Sequence, residues 1–333
     1  MSRRNGVAPA AFLGSDELGR LAAGLRLPCL DVGARRGVIE DLLPLAFAVD
    51  AWGVEPDAEE CARLNQLAAG GGHPWRSLRY VPIALGRAGR RPLWLYRNRD
   101  CSSLLEADVP RARVFGRGGY FELDGTTEVE TVPLDVAARA HGFADAVFMK
   151  LDVQGAELEI LESGPELVGR TLLGIRTEVE FVPIYLEQPL WADVDGHLRR
   201  AGFAPMAFLE TRRWRRPGAP GNDGHGRLHA PGQLVHADLL YLREPEVLDG
   251  GTEAGARALV TLALLALTYG HADLAAAAFA RPGVAVWAQG AHGVDVARGL
   301  DVAWRTLDRR HREGERRRLL GDVKALLRRG VRR

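Results

Sequence analysis

The chain has 333 residues, a formal net charge of +1 and an apolar content of 47%. These values exclude a disordered polymer and a disulfide-stabilised miniprotein, and the length fits one large domain or two smaller ones. Only two of the 44 basic residues are lysines, Lys150 and Lys324. Residues 305–333 hold 12 basic and 4 acidic side chains, a net charge of +8, which leaves −7 for residues 1–304. No nucleic-acid partner is therefore expected for the body of the chain.

The cysteines and the apolar segments bear on the cellular location. Cys29, Cys61 and Cys101 are too few and too far apart for a disulfide framework or a zinc site, which fits a reducing compartment. The first 30 residues lack the pattern of a signal peptide. The most apolar stretch, 256–267, is shorter than the ~20 residues that a membrane span needs. We predict a cytoplasmic protein with no transmembrane segment.

Predicted strands and helices alternate over the first 245 residues. Apolar runs predict strands at 28–32, 51–55, 78–85, 92–96, 146–151, 172–181, 205–209 and 234–242, with 129–134 extended. Periodicity and capping residues predict helices at 16–25, 38–47, 58–68, 135–141, 156–162 and 191–201, the fourth capped by Asp135. Glycine and proline content predicts an exposed loop at 111–119 and a mobile connection at 216–232.

This alternation predicts an α/β fold of the doubly wound, Rossmann-like kind, in which helices cover both faces of a mostly parallel sheet. The last two strands have no helix between them, so we expect an antiparallel hairpin at one edge. Alanine-rich helices are predicted at 254–269, 272–279, 294–309 and 315–329. The predicted organisation is a helical lead-in at 1–27, a sheet domain at 28–244, and an α-helical C-terminal appendage with a basic tail at 245–333.

Two acidic residues at predicted strand ends suggest a ligand. Asp31 precedes a turn with the spacing Gly33-x-x-x-Gly37, which is not the G-x-G-x-x-G fingerprint of a dinucleotide site. Glu55 follows the second strand, where an acidic residue accepts hydrogen bonds from ribose hydroxyls. Together they indicate a ribose ligand with a cationic end and no pyrophosphate, such as S-adenosylmethionine. An ordinary loop with solvated carboxylates is the alternative.

A second group of charges lies on two later strands. Lys150 and Asp152 are two residues apart on a buried strand and therefore share a side, and Glu178 is expected beside Asp152 on the next strand. Charges on a central strand are costly unless they are paired. The group is therefore either a structural ion-pair cluster or a site that binds a ligand, takes a proton or binds a divalent ion.

Six motifs in this order resemble the FkbM-type S-adenosylmethionine-dependent methyltransferases, over about residues 29–203. The motifs are Leu30-Asp31-Val32-Gly33-Ala34, Val54-Glu55-Pro56, Ser102-Ser103-Leu104, Thr131-Val132-Pro133-Leu134-Asp135, Lys150-Leu151-Asp152-Val153-Gln154-Gly155-Ala156-Glu157, and Glu180-Phe181 with Pro183-x-Tyr185. The resemblance implies a class I sheet of seven strands and methyl transfer to a hydroxyl of a sugar, glycan or polyketide-like metabolite.

The resemblance also implies a site for the S-adenosyl-L-methionine cofactor. Its residues, by matched position, are Asp31, Gly33, Ala34, Gly37, Glu55, Pro56, Asp57, Ala84, Ser103 and Asp152. In this arrangement Glu55 would hold the ribose, Ala84 would lie near the adenine, and Asp152 would lie at the mouth of the methyl-transfer site. The chain departs from the family at Arg35, where a small polar residue is common.

An alcohol is a poor nucleophile, so a base or a metal must help the transfer. We predict that Asp152 or Glu178 accepts the proton and that Lys150 positions the carboxylate. The sequence has no closed metal site, yet metal assistance stays open. A Rossmann oxidoreductase is disfavoured by the missing fingerprint, and a non-catalytic S-adenosylmethionine-binding or scaffold module that uses the helical C-terminus is the remaining alternative.

The expected partner is a small-molecule or saccharide acceptor, bound by the variable loops at 97–125 and 214–232. The basic tail has two interpretations: a packed amphipathic helix with a solvated face, or a contact with a protein or an anionic surface. Ion pairs such as Glu313 with Arg317 fit the first interpretation, and the net charge fits the second.

Overall fold

The computed structural model describes residues 11–218 and 232–330, and their side chains as far as residue 315. The chain divides into two compact units. The sheet unit is built from residues 27–40 and 49–247, and the helical unit from the described parts of 1–26, 41–48 and 248–333.

The sheet unit contains ten strands in two sheets. In chain order they are β1 (Leu27–Val32), β2 (Val49–Val54), β3 (Ser77–Val81), β4 (Ala84–Leu85), β5 (Gly89–Tyr96), β6 (Leu123–Val132), β7 (Phe148–Leu151), β8 (Gly174–Glu180), β9 (Phe203–Trp214) and β10 (Gln233–Arg243). The larger sheet has seven strands in the order β3-β2-β1-β7-β8-β10-β9. Its first five strands are parallel, and β10 is antiparallel to both β8 and β9. The predicted doubly wound sheet with an antiparallel edge pair is confirmed.

Helices cover this sheet and bury its apolar side chains. They are α2 (Ala58–Ala69), α4 (Leu134–His141), α5 (Glu157–Glu162) and α6 (Trp191–Arg200), with a π-helical turn at Leu167–Thr171. The inner strands β1, β2 and β7 are buried on both faces, which explains their continuous apolar runs. The core packs residues such as Leu30, Met149 and Ile175 of the strands against Leu161 and Leu198 of the helices.

Asp135 does not cap α4 as predicted. Pro133 is the residue before the helix, and Asp135 lies in its first turn. The carboxylate instead accepts hydrogen bonds from the backbone N–H groups of Glu166 and Leu167. It therefore joins α4 to the chain that precedes β8, a long-range contact that no local capping pattern encodes.

Two predicted elements are broken by proline. The helix predicted at 38–47 is absent, and only a short 3₁₀ turn, Leu43–Leu45, forms there around Pro44. Proline lacks the N–H that a helix interior needs, and Gly37 adopts a left-handed φ of +99° just before it. The strand predicted at 78–85 ends at Val81, before Pro82, and resumes as β4 in the other sheet.

The smaller sheet has the order β4-β6-β5 and was only partly predicted. β5 and β6 form an antiparallel pair that extends well beyond the predicted strand at 92–96 and the extended segment at 129–134. The prediction of a loop over 111–119 was wrong for the residues up to 114. Residues Val109–Val114 form a helix, α3, and Asp108 caps it by accepting a hydrogen bond from the backbone N–H of Arg111.

The helical unit contains five helices in its described residues: α1 (Asp16–Gly24), α7 (Glu253–Thr268), α8 (Ala272–Phe279), α9 (Val284–His292) and α10 (Val296–Gly330). Ser15 caps α1 by accepting a hydrogen bond from the backbone N–H of Leu18. Helix α7 is apolar on all sides from Leu259 to Leu267, and this stretch is buried throughout. Helix α10 runs unbroken where two helices were expected, and its side chains after residue 315 lie outside the described part of the chain. Within the described chain, no helix combines the length and apolarity of a membrane span.

Candidate functional site

A cavity of about 920 Å³ opens in the sheet unit where β1, β2 and β7 end. The carboxyl ends of parallel strands meet at one edge of the sheet, which is where doubly wound folds bind ligands. Nine of the predicted site residues line it: Gly33, Gly37, Glu55, Pro56, Asp57, Ala84, Ser103, Lys150 and Asp152. The smaller sheet adds an apolar wall through Leu93, Leu95 and Val129.

Asp31 and Ala34 are not part of the cavity wall. Ala34 is fully buried and packs in a small cluster with Cys61 and Tyr80. The Asp31 carboxylate lies below the wall, where Oδ2 accepts a 2.7 Å hydrogen bond from the backbone N–H of Ile39. Its Oδ1 is 3.2 Å from Lys150 Nζ. Asp31 therefore orders the loop after β1 and holds Lys150 from below.

Lys150 joins this buried carboxylate to the cavity. Its Nζ is also 3.6 Å from Oδ2 of Asp152, whose side chain is 42% exposed. Burial lowers the pKa of Lys150, but the charges of Asp31 and Asp152 outweigh it, so the pKa lies above its usual value. Burial raises the pKa of Asp31, and the charge of Lys150 offsets only part of that shift, so the pKa lies above its usual value. The lysine thus compensates one buried carboxylate and positions a second one at the cavity surface.

Gly33 allows the loops after β1 and β7 to approach each other closely. It has a φ of +85°, and an added Cβ would lie 2.0 Å from the carbonyl oxygen of Asp152. The backbone N–H groups of Gly33 and Ala34 donate to the carbonyl of Val54, and that of Asp152 donates to Val32. The loops after β1, β2 and β7 are therefore tied together, which fixes the cavity edge.

Glu55 and Asp57, predicted to lie at the ribose, share an ion pair with Arg35. Glu55 Oε1 accepts a 2.9 Å hydrogen bond from the backbone N–H of Asp57, which in turn caps α2. Arg35 Nη1 lies 3.3 Å from Asp57 Oδ2 and 3.8 Å from Glu55 Oε1. Burial raises the pKa of Glu55, whereas hydrogen bonds to the capped backbone lower the pKa of Asp57. The departure at Arg35 thus places a cation on the carboxylates.

The loop after β7 is held in an unusual conformation. Gln154 has a φ of +58°, a region that costs a side-chain-bearing residue about 1–3 kcal/mol. Glu157 stabilises the loop by accepting hydrogen bonds from the backbone N–H groups of Val153 and Gly155, each 2.9 Å long. Ser103 donates a hydrogen bond to the Gln154 carbonyl. The geometry of the loop is therefore held both by Glu157, which directly follows it, and by Ser103, which is 51 residues away in sequence.

The Gln154 side chain connects two predicted catalytic carboxylates. Its Nε2 is 2.9 Å from Asp152 Oδ1 and 2.9 Å from Glu178 Oε2. The Tyr185 hydroxyl lies 3.0 Å from Gln154 Oε1 and 2.7 Å from the Cys101 carbonyl oxygen. Glu178 lies near Asp152, as the sequence predicted, but behind this amide and outside the cavity lining. Gln154 itself was not predicted as a site residue.

Glu178 has a histidine partner that sequence reasoning missed. Its Oε1 is 2.7 Å from Nδ1 of His236 on β10. Burial lowers the pKa of His236, but the hydrogen bond and charge of Glu178 outweigh it, and the pKa lies above its usual value. Burial and the charge of Asp152 raise the pKa of Glu178. The only sequence signal was one histidine in an apolar strand, and the pairing depends on the register of β10 against β8.

The described residues hold no cluster of three or more His, Cys, Asp or Glu side chains arranged for a metal ion.

The family of the chain follows from its similarity to known proteins. The model of the methyltransferase FkbM domain matches residues 31–205, more than half of the chain. The chain belongs to the FkbM methyltransferase family. No curated protein matches its sequence.

Solved structures were also compared with this FkbM methyltransferase. It is 12% identical to the FkbM methyltransferase of Methylobacillus flagellatus KT, with a TM-score of 0.34, over 66% of this chain and 47% of that one. It is 12% identical to magnesium protoporphyrin IX methyltransferase of Synechocystis PCC 6803, with a TM-score of 0.33, over 72% and 88%. An S-adenosylmethionine-dependent methyltransferase of Agrobacterium tumefaciens is 13% identical, with a TM-score of 0.33, over 68% and 59%. The chain thus spans about half the length of the Methylobacillus protein.

S-adenosylmethionine is the methyl donor of the FkbM family, and the residues at the cavity fit it. Among the described residues, the protein engages only Oε1 of Glu55 and leaves Oε2 available to a ribose hydroxyl. The carboxylates of Glu55, Asp57 and Asp152 suit a donor with a sulfonium and an amino group. The volume falls in the usual range of ligand pockets, roughly 300–1,000 Å³.

Proposed function

We propose that this chain binds S-adenosyl-L-methionine in the cavity and transfers its methyl group to a hydroxyl of a sugar, glycan or polyketide-like metabolite. The observation that carries the proposal is the convergence of Glu55 and Asp152 on one cavity at the carboxyl edge of an FkbM-family sheet. A bound donor supplies an activated methyl group on a sulfonium. The chain's own residues must then bind the donor, align the acceptor oxygen and remove its proton.

Donor binding tests the first part of the proposal. We expect calorimetry to detect S-adenosylmethionine binding and no binding of NADH. Glu55→Ala should weaken donor binding by about 10- to 150-fold, because a hydrogen bond to a charged group contributes roughly 1.5–3 kcal/mol. Glu60→Ala is the control, because Glu60 lies five residues further along the chain, on α2, and pairs with Arg63 instead. NADH binding without donor binding would favour an oxidoreductase instead.

Methyl transfer tests the second part. The assay follows release of the demethylated donor across a panel of hydroxylated metabolites and saccharides. Donor binding without transfer to any acceptor would contradict the enzymatic proposal. The acceptor loops at 97–125 and 214–232 remain a prediction, and 219–231 lie outside the described residues.

Asp152 and Glu178 are proposed to assist removal of the acceptor proton, directly or through a neighbouring group, and Lys150 is proposed to position the Asp152 carboxylate. Their support is the chain of contacts that runs from Lys150 through Asp152 and Gln154 to Glu178. Asp152→Asn and Glu178→Gln should each lower turnover at saturating donor. Near-normal turnover in both variants contradicts the assignment, and loss of activity in a chelator would indicate metal assistance.

The sequence alone supports two further proposals. A reducing, cytoplasmic location fits three cysteines that are all free. The net charge of +8 on 305–333 supports contact with a protein or an anionic surface. Co-sedimentation with anionic vesicles at low and high salt tests the surface contact, and binding that salt does not weaken would contradict it.

A further inference from the structure

We infer that His236 is the group that accepts the proton of the acceptor hydroxyl and that Glu178 orients it. The inference rests on the proposed function and concerns how the same site acts. It starts from a histidine on β10 that no sequence motif includes, 2.7 Å from a carboxylate on β8.

The strand arrangement brings His236 to the reacting edge of the sheet. β8 is parallel to β7, so Glu178 and Glu180 lie at the same edge as Asp152. β10 runs antiparallel to β8 and pairs His236 with Glu180, which brings the start of β10 to that edge. The imidazole therefore lies beside the end of β8, outside the residues that line the cavity, and is joined to the lining residue Gln154 through Glu178.

The contacts of the imidazole leave one nitrogen available. Nδ1 contacts Glu178, and none of the described residues forms a hydrogen bond with Nε2. The His236 side chain is 26% exposed, whereas the Glu178 side chain is 11% exposed. A carboxylate that accepts from Nδ1–H fixes the tautomer in which Nε2 carries a lone pair and can accept a proton.

Gln154 supports the pair from the other side. Its amide donates to Oε2 of Glu178, so both oxygens of that carboxylate have a donor. The left-handed φ of Gln154 places the amide between Asp152 and Glu178. Both oxygens of Asp152 already face a donor, Lys150 at Oδ2 and this amide at Oδ1, whereas Nε2 of His236 has no hydrogen-bond partner among the described residues. Asp152 and Glu178 are therefore positioning residues in this arrangement.

The step balances without a further reactant. The O–H bond of the acceptor breaks, and its proton forms an N–H bond at Nε2 of His236. The oxygen uses its lone pair to bond the methyl carbon, and the electrons of the broken S–C bond remain on sulfur. The imidazolium that results lies against the Glu178 carboxylate, which stabilises its charge.

His236→Asn isolates the role of Nε2. An asparagine amide can replace Nδ1–H as a donor to Glu178 but offers nothing in the place of Nε2. We expect the variant to bind S-adenosylmethionine with unchanged affinity and to lose about 10²–10⁴-fold in kcat. His141→Asn, at an exposed histidine that ends α4, is the control and should keep full activity.

The pH profile separates a base from a structural residue. The groups that face His236 are Glu178 on β8, Asp238 on its own strand, and Arg212 and Trp214 on β9. Activity should rise with pH as His236 loses its proton. Glu178→Gln removes the charge that raises this pKa, so the rising limb should move about 1–3 units to lower pH.

Nitrogen NMR of the uncomplexed protein gives a readout that needs no acceptor. We expect neutral His236 to carry its proton on Nδ1 in the wild type. A proton on Nε2 would overturn the inference, as would an active His236→Asn variant. A wild-type chain that does not bind the donor would instead contradict the proposed function.

Discussion

Arg35 places a guanidinium beside Glu55, the carboxylate proposed to hold the ribose, and beside its neighbour Asp57. A small polar residue would leave both carboxylates to a ligand. The sequence shows the departure but not the direction of the side chain. In the structure the cation lies beside Glu55 and Asp57. In the proposed binding mode it therefore does not oppose a sulfonium near Asp152.

Arg35→Ser should strengthen donor binding about 1.5- to fivefold. The ribose would no longer compete with an exposed ion pair, and such pairs contribute about 0.2–1 kcal/mol. Calorimetry with S-adenosylmethionine measures the change. Arg63→Ser, which removes a different arginine pair on α2, is the control. Weaker donor binding in Arg35→Ser would mean that the guanidinium itself contacts the donor.

Single residues at strand ends could be predicted, but their partners could not. Glu55, Lys150 and Asp152 were predicted to lie together because the carboxyl ends of parallel strands meet at one edge of a sheet. All three line the cavity. Asp31 was expected to contact the ligand. In the structure its side chain lies outside the cavity lining and forms an ion pair with Lys150. The contact between Glu178 and His236 joins strands that are 58 residues apart, so it depends on a register that local patterns do not specify.

At the scale of elements, the loops after β1 and β7 act as one unit because Gly33 allows them to touch. Gly33→Ala should lower the free energy of unfolding by about 1–3 kcal/mol, from left-handed φ and from the clash with the Asp152 carbonyl. Urea unfolding measures the loss. Gly72→Ala is the control, because an added Cβ there meets nothing within 4 Å. Equal stabilities would mean that the two loops separate at little cost.

The same scale explains which elements were predicted. Strands with continuous apolar runs, such as β1 and β7, were found because both of their faces are buried. β6 was mostly missed because its residues are largely exposed and polar, and its order comes from pairing with β5. The prediction of a helix at 38–47 did not take into account that Pro44 lacks a backbone N–H. Pro82 lacks one as well, and β3 ends just before it.

For the whole molecule, buried acids determine how stability depends on pH. Burial is the main cause that raises the pKa of Glu178 and Glu180, and it raises the pKa of Glu157 to about 8. The folded chain therefore keeps protons that the unfolded chain releases near its ordinary value of 4.5. The stability that these groups contribute is present below that value and is lost as the pH rises towards 8.

Glu180→Gln should reduce this loss, because a neutral amide has no proton to release. We expect the free energy of unfolding to fall less steeply between about pH 4.5 and pH 8 than in the wild type. Urea unfolding across this range measures the slope. Glu59→Gln, at an exposed position of α2, should leave the slope unchanged. An unaltered slope in Glu180→Gln would assign the pH dependence to other groups.

The position of β10 has a consequence for synthesis of the chain. β10 lies between β8 and β9 although it is synthesised after both. Neither of these strands can therefore pair with β10 until residue 243 has emerged from the ribosome. The ribosome therefore delivers His236 last among the groups of the site. Under the proposed mechanism, the site therefore lacks its base until the final strand of the sheet has inserted.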